Sequence, residues 1–336
     1  MHEHGGRVRA AAARYGIPVE RWLDLSTGIN PHGWPVPPIP AAAWAQLPQD
    51  DDGLEAAARD CYQAPHALPV AGSQAAIQAL PWLRPPGPVV LPAPGYGEHA
   101  AAWARAGHTP VPTAPDAVAD VADRAAPGTV VVLIQPNNPT GHCWPAQTLL
   151  ALHDQLAARG GWLVVDEAFA DATPQISLAA HSQRPGLVVL RSLGKFFGLA
   201  GARVGFVLAA PELLHTLREK LGPWPVAGPS RAIATAALAD RAWQLATRAR
   251  LAQDSARLAA LLTRHGLRPA GGSALFQWVP AMQAAGLHDA LARRGILTRL
   301  FEDPPALRFG LPGDEAGWQR LDSALADCAH PMTTPP

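Results

Sequence analysis

The chain has 336 residues, of which 48% are hydrophobic and 16% are charged, so it can bury the core of a large domain and a smaller one. Basic and acidic residues each number 27, and a formal net charge of zero argues against a nucleic-acid partner. Three widely spaced cysteines and no apolar run of about 18 residues predict a cytoplasmic protein with no metal site and no membrane partner.

Residues 1–40 form an arm with little periodicity, and residues 41–225 then alternate between helical and apolar strand patterns. Ser73 is expected to cap the helix that follows the first strand. Continuous apolar strands separated by helices predict an α/β fold with a mostly parallel sheet flanked by helices. The helical segments are GLEAAARDCYQA, SQAAIQALPWL and PAQTLLALHDQLAARG, and the strand segments are LPVAGS, GPVVLPAP, TVVVLIQP, GWLVVDEA, LVVLRS and RVGFVLA.

The alternation breaks near the segment LGPWPVAGPS. A long helical stretch over about 229–265 follows, and after it come SALFQWVP, another helix, GILTRLF and ALRFGLP. This order predicts a smaller α+β domain over 226–336, next to a large domain over 41–225.

Polar residues follow the first two apolar strands of the large domain. Gly72, Ser73 and Gln74 begin a helix, where backbone N–H groups and the helix dipole can bind a phosphate, although a plain capped helix explains them as well. Tyr96 follows the next strand and can stack on a planar ring or pack in the core.

The next two strands also end in polar residues. Asn138, in QPNNPTG, can donate to a ring oxygen, and a structural loop is the alternative. Asp166 ends the strand VVDEA and needs a partner, because burying a lone carboxylate is costly. A protonated pyridine nitrogen would serve, as would a helix cap or a salt bridge.

The segment RSLGKFFGLAGARVG, residues 191–205, lies between two apolar strands. Lys195 can form a Schiff base with an aldehyde, and Ser192 and Arg203 can each bind a phosphate. Taken singly, none of these residues decides the function.

As an ordered set, these residues resemble the fold-type-I pyridoxal-phosphate (PLP) enzymes of the aspartate aminotransferase type, over nearly the whole chain. The resemblance implies that Lys195 carries PLP, that Asp166 pairs with the ring nitrogen and that Asn138 contacts the ring oxygen. It also implies a homodimer and a cis peptide bond between Asn138 and Pro139. The remaining cofactor residues that it implies are Gly72, Ser73, Gln74, Tyr96, Ser192 and Arg203.

The arm narrows the resemblance. His4-Gly5-Gly6 and the pattern D-x-S-x-x-I-N-P-x-G, residues 24–33, are similar to the threonine-phosphate decarboxylases of cobalamin biosynthesis. Histidinol-phosphate aminotransferases share the Asn-Pro segment and the Leu-Arg-x-Gly motif at residues 307–310. The resemblance implies a phosphorylated amino-acid substrate that loses CO2. The substrate residues that it implies are His4, Arg7, Asn30, Arg299 and Arg308.

Two alternatives remain open at this point: an aminotransferase, and a PLP-fold regulator that only binds the cofactor. Asp166, Lys195 and Arg203 argue against the regulator, because binding alone needs no electron sink. His4 and Arg7 could instead lie in solvent. Two positions depart from the relatives, which place tyrosine where this chain has Phe169 and Tyr-Pro where it has Leu47-Pro48.

Overall fold

The computed structural model describes residues 4–118 and 120–329, which divide into two compact units. The larger unit comprises residues 33–138 and 142–247, and the smaller unit comprises 1–32, 139–141 and 248–336. This division falls at other positions than residues 40 and 225, where the sequence pattern changes. The predicted domain ranges stay predictions. Residues 1–3, 119 and 330–336 of those ranges lie outside the described part of the chain.

The strands and helices have the following bounds. The strands are β1 (Leu23–Asp24), β2 (Leu68–Val70), β3 (Pro88–Pro92), β4 (Thr109–Thr113), β5 (Val130–Ile134), β6 (Trp162–Asp166), β7 (Leu187–Ser192), β8 (Gly205–Leu208), β9 (Gly271–Ser273), β10 (Phe276–Pro280), β11 (Ile296–Leu297), β12 (Arg299–Glu302) and β13 (Pro305–Gly310). The helices are α1 (Val8–Tyr15), α2 (Ala42–Ala45), α3 (Leu54–Tyr62), α4 (Ser73–Ala79), α5 (Gly97–Arg105), α6 (Val121–Arg124), α7 (Ala146–Ala157), α8 (Pro211–Leu221), α9 (Gly228–Ala239), α10 (Arg241–Arg264), α11 (Ala284–Ala292) and α12 (Glu315–Ala329).

The larger unit contains a seven-stranded sheet in the order β2-β8-β7-β6-β5-β3-β4. The strands β7, β6, β5, β3 and β4 pair in parallel, and β8 is antiparallel to both β2 and β7. All five residues of β5, Val-Val-Val-Leu-Ile, are buried, as a strand covered on both faces requires. The predicted α/β fold with a mostly parallel sheet is therefore confirmed for this unit.

The edge strand β4 has no counterpart among the predicted strands. Its sequence, Thr-Pro-Val-Pro-Thr, contains two prolines, which cannot donate to a sheet ladder and so argue against a strand. The structure accommodates them because β4 pairs with β3 alone and lies at the edge of the sheet. An edge position cannot be read from local sequence.

Helices α4, α5 and α8 contribute to the core on one face of this sheet. Trp103 of α5 is buried there with Val132 and Val164 of the strands, and Leu217 of α8 belongs to the same cluster. Complete burial of one such aliphatic side chain contributes about 1.5–3 kcal/mol to stability. The packing fixes the strands whose carboxyl ends carry the polar residues.

The smaller unit contains an antiparallel sheet in the order β12-β13-β10-β9 and a parallel pair of β1 with β11. The arm is more regular than its weak periodicity indicates, because α1 and β1 both lie within it. The predicted helix over about 229–265 is two helices, α9 and α10, separated at Asp240. The Asp240 carboxylate accepts a hydrogen bond from the backbone nitrogen of Trp243 at 2.9 Å, which caps the start of α10.

Within the described residues, no helix combines the length and the apolar character that a bilayer crossing needs.

Candidate active site

Asp166 is the last residue of β6 and is 4% exposed. The ring nitrogen Nε2 of His99, from α5, donates to Asp166 Oδ2 at 2.9 Å, and the backbone nitrogen of Ala168 donates to Oδ1 at 3.1 Å. His99 is 1% exposed. A buried carboxylate with two donors is held in one orientation, as a partner for a cationic ring would need to be.

The predicted phosphate residues converge at the start of α4. Ser192 of β7 is the register partner of Gly205 of β8, and a Cβ atom at Gly205 would collide with the backbone nitrogen of Ser73. A Cβ atom at Gly72 would lie 2.7 Å from Arg203 Nη2. Glycine at 72 and 205 therefore allows a hydroxyl, a helix N-terminus and a guanidinium to lie side by side.

The expectation that Ser73 caps α4 is wrong. Gly72 occupies the cap position with φ of +70°, Ser73 is the first helical residue, and no side chain in the described part of the chain caps this end. Glycine is tolerated at a cap and adopts positive φ without strain, so the local sequence admits either residue at the cap.

Lys195 follows Ser192 by three residues, and its Nζ lies 5.3 Å from the ring centroid of Phe169. Phe169 follows Asp166 by three residues and is buried. The ends of β6 and β7 therefore bring the amine and the carboxylate to the same region of the sheet. The residue that departs from the relatives' tyrosine lies directly beside the amine.

Tyr96 directly precedes α5. Its hydroxyl donates to Gln74 Oε1 at 3.5 Å, and its ring lies edge-on to that of His99 with centroids 6.1 Å apart. Gln74 Nε2 donates in turn to Glu98 Oε2 at 3.2 Å. The structure thus brings Gln74 and Tyr96 together with His99, the partner of Asp166.

Asn138 follows β5 by four residues, beyond the end that pairs with Asp166. The prediction of a cis bond between Asn138 and Pro139 is wrong: that bond is trans, and a cis bond occurs three residues earlier at Gln135–Pro136. The cis form is inexpensive at any residue before proline, so the dipeptide alone does not specify which bond adopts it.

A buried ionic cluster lies next to Asp166 and Ser192 in the chain. Arg191 donates from Nη1 to Glu167 Oε2 at 2.6 Å and from Nη2 to Asp171 Oδ1 at 2.5 Å, and its guanidinium lies 4.3 Å from the ring centroid of Tyr62. Burial alone would lower the pKa of Arg191, but Asp171 and Glu167 hold it above its usual value. Burial raises the pKa of Glu167. The cluster joins β6 and β7 just where Asp166 and Ser192 lie.

The smaller unit holds the predicted substrate residues. Arg308 of β13 is buried, is the register partner of Arg299 of β12, and donates from Nη2 to the carbonyl oxygen of Ser26 at 2.7 Å. Two arginines directly opposite each other repel, so an anion between them would be favoured. Asn30 is buried, and its Oδ1 accepts a hydrogen bond from the backbone nitrogen of His32 at 3.0 Å.

His4 and Arg7, the other predicted substrate residues, flank the pair Gly5-Gly6 and are exposed in the smaller unit. Gly6 donates its backbone N–H to Ser26 Oγ at 2.7 Å. The start of the arm, residues 4–7, is thereby attached to Ser26, a later residue of the same arm, which Arg308 also contacts.

The residues of the larger unit fit PLP. The cofactor needs an amine for its aldehyde, a carboxylate for its ring nitrogen and donors for its phosphate. Lys195 supplies the first and Asp166 the second. The glycine positions at 72 and 205 leave the Ser73 backbone nitrogen and Arg203 adjacent, as a phosphate site requires.

Sequence reasoning did not identify His99 or Ser26. His99 lies three residues after Tyr96 in the segment PGYGEHA, so helical spacing offers a weak signal. Ser26 lies inside the quoted Asp-Leu-Ser motif, but its contacts to Gly6 and Arg308 span 20 and 282 residues. No local pattern shows contacts of that range.

Comparisons with known proteins agree with this geometry. A family model described as aminotransferase class I and II matches residues 47–325. A threonine-phosphate decarboxylase of Pseudomonas aeruginosa is 57% identical over 98% of this chain and 99% of its own. A histidinol-phosphate aminotransferase of Aeromonas hydrophila is 34% identical over 61% of this chain and 59% of its own. The crystal structure of a histidinol-phosphate aminotransferase from Sinorhizobium meliloti with pyridoxal-5'-phosphate superimposes with a TM-score of 0.85 at 23% identity, over 98% of this chain and 95% of that one.

Proposed function

The chain belongs to the aminotransferase class I and II family, and from this premise we propose that it is a PLP-dependent threonine-phosphate decarboxylase. It converts L-threonine O-3-phosphate to (R)-1-amino-2-propanol O-2-phosphate and CO2, as a step of cobalamin biosynthesis. The observation that carries this proposal is the 57% identity to the Pseudomonas decarboxylase over nearly the whole of both chains. The similarity to the Aeromonas aminotransferase covers 61% of the chain.

On the cofactor side, Lys195 would hold PLP through its amine, and the Asp166 carboxylate would accept a hydrogen bond from the ring nitrogen and keep that nitrogen protonated. When bound, PLP stabilises the electron pair of whichever Cα bond stands perpendicular to its ring. His99 donates to Oδ2 of Asp166 and keeps that carboxylate oriented. Ser192, Arg203 and the backbone nitrogen of Ser73 hold the phosphate, and Gly72, Gln74, Tyr96 and Asn138 complete the cofactor contacts.

On the substrate side, the choice between losing CO2 and losing the Cα proton depends on orientation. Arg308 and Asn30 bind the substrate carboxylate, and Arg299, His4 and Arg7 bind the substrate phosphate. Holding both anions sets the torsion about Cα, and geometry held in this way can lower a barrier by roughly 7–11 kcal/mol. Lys195 Nζ then delivers a proton to Cα, so hydrogen replaces the carboxylate.

The cross-strand pair of Arg299 and Arg308 supports an anionic substrate, because repulsion between them is relieved when an anion binds. A substrate with one carboxylate and one phosphate matches two guanidinium groups. Histidinol phosphate carries no carboxylate, so it would not use both.

We further propose that the enzyme is a cytoplasmic homodimer that acts on small molecules and binds neither nucleic acid nor membrane. The zero formal net charge supports the absence of a polyanionic partner. Sedimentation of the purified protein at twice the 35.3 kDa chain mass would test the dimer.

The function is tested by supplying two substrates separately. One reaction receives L-threonine phosphate alone, and the other receives histidinol phosphate with 2-oxoglutarate. We expect CO2 in the first reaction and no glutamate in the second. Efficient glutamate formation without CO2 release would instead establish an aminotransferase.

A further inference from the structure

We propose that Ser26 is a positioning residue that anchors the start of the N-terminal arm, residues 4–7, beside Arg308 and so sets the enzyme's affinity for the substrate phosphate. The inference deepens the proposed function and rests on it. Ser26 does not act on the substrate itself. It acts through His4 and Arg7, which lie on either side of the segment that it holds.

The hydroxyl of Ser26 both donates one hydrogen bond and accepts another. Ser26 is 1% exposed, and its Oγ donates to Asp24 Oδ1 at 2.5 Å. Because that bond uses the single hydroxyl proton, a lone pair of Oγ accepts the backbone N–H of Gly6 at 2.7 Å. Asp24 Oδ1 also accepts a hydrogen bond from the backbone nitrogen of Ser26 at 2.9 Å, so Asp24 contacts both the backbone and the side chain of Ser26.

Steric fit supports the same attachment. A Cβ atom at Gly5 would collide with the carbonyl oxygen of Ser26, so the arm approaches this residue as closely as a backbone can. Gly6 has φ of +80°, which lets the chain turn there without strain. Two adjacent glycines thus bring the arm into contact with Ser26.

The other side of Ser26 contacts Arg308. The carbonyl oxygen of Ser26 accepts from Arg308 Nη2 at 2.7 Å, and the Arg308 guanidinium lies 5.0 Å from the ring centroid of Phe276. The hydroxyl of Ser26 therefore bonds to Gly6, and its carbonyl oxygen bonds to Arg308. A change of side chain should disturb the arm and leave the arginine contact in place.

This separation defines the test. Ser26→Ala removes the acceptor for Gly6 but retains the carbonyl oxygen for Arg308. The variant should weaken the binding of L-threonine phosphate and leave the binding of L-threonine, which has the carboxylate and lacks the phosphate, nearly unaffected.

The measurements are steady-state kinetics and ligand titrations followed by the absorbance of the bound cofactor. For Ser26→Ala we expect KM for L-threonine phosphate to rise about fivefold or more, the factor that corresponds to one lost hydrogen bond, with kcat nearly unchanged. Ser26→Thr, which keeps the hydroxyl, should restore affinity. Ser323→Ala makes the same chemical change at an exposed position of α12 and serves as the control.

Hydrogen exchange provides a readout that does not depend on activity. The amides of residues 4–16 should exchange faster in Ser26→Ala than in the parent or in Ser323→Ala. An unchanged exchange rate, or equal weakening of L-threonine and L-threonine phosphate, would overturn the proposal. If the parent protein releases no CO2 from L-threonine phosphate, the proposed function fails, whereas exchange and the binding comparison still test the role of Ser26.

Discussion

The polar residues of the two units are positioned by different kinds of contact. In the larger unit, Asp166 and Ser192 each end a strand, and parallel pairing of neighbouring strands brings them to one edge of the sheet. In the smaller unit, Arg308 is held by Ser26, 282 residues away in the chain. The positions of the predicted cofactor residues therefore follow from strand order. The positions of the predicted substrate residues depend on the contacts that Ser26 makes within the smaller unit.

The largest effect should come from Lys195. Lys195→Ala should lower kcat by about 10⁴-fold, because it removes both the proton donor and the amine that attaches the cofactor. Borohydride reduction of the parent followed by peptide mapping checks the attachment. The chain contains one other lysine, Lys220, and finding the adduct there would refute the assignment.

Asp166→Asn should reduce turnover by about 10²- to 10³-fold, the usual loss when one preorganised charge is removed from a reaction centre. The cofactor should still bind, because the phosphate residues and Lys195 are unchanged. Absorbance of the purified variant checks retention, and kcat checks the loss. Normal turnover with bound cofactor would contradict a role for Asp166 at the ring nitrogen.

Arg308→Lys tests substrate binding by the smaller unit. Lysine keeps the charge but loses the planar set of donors, so KM for L-threonine phosphate should rise about 10- to 100-fold while cofactor absorbance stays normal. This result would separate substrate binding from cofactor binding. A loss of cofactor from Arg308→Lys would remove the distinction on which the comparison depends.

His99→Phe should lower kcat by about tenfold, because Asp166 loses a donor to its charged form while the aromatic volume is kept. His99→Gln is the matched variant, since its amide can still donate to Asp166. We expect His99→Gln to retain most of the activity. Equal losses in the two variants would show that the ring packing of His99, rather than its hydrogen bond, is what matters.

The smallest effect should come from Asp322, a partly exposed residue of the smaller unit. The hydrogen bond from His265 at 2.6 Å lowers the pKa of Asp322, so this pair stabilises the fold above about pH 4 and the contribution is lost as pH falls. At 46% exposure, Asp322→Asn should cost about 0.2–1 kcal/mol at pH 6 and less at pH 3. Urea unfolding at both pH values measures it. A larger loss of unfolding free energy at pH 3 than at pH 6 would contradict a lowered pKa for Asp322.

The difference between strand-end positions and long-range contacts also decides what the sequence can predict. The apolar runs predicted β5, β6 and β7, with Asp166 as the last residue of its strand and with Asn138 and Lys195 shortly after theirs, because strand period and turn chemistry are local. The sequence did not predict β4, whose prolines fit only because the strand lies at an edge. Local patterns are therefore sufficient for the centre of the sheet.

In the smaller unit, local sequence patterns do not predict the contacts of the site residues. Arg299 and Arg308 were predicted from resemblance, but their pairing across β12 and β13 and the contact of Arg308 with Ser26 required the structure. His99 was missed for the same reason, since it reaches Asp166 across 67 residues of sequence. Side-chain partners distant in the chain carry no signature in a single sequence.

The most direct test of decarboxylation is one reaction in D2O. Purified enzyme with PLP is given L-threonine phosphate, and CO2 and the amino-alcohol phosphate are quantified together by mass spectrometry. We predict equal amounts of both, with one deuterium at the carbon that lost the carboxylate, because the proton on Lys195 exchanges with solvent. Deuterium at Cα of unreacted substrate, with no CO2 released, would contradict decarboxylation and show that the enzyme breaks the Cα–H bond.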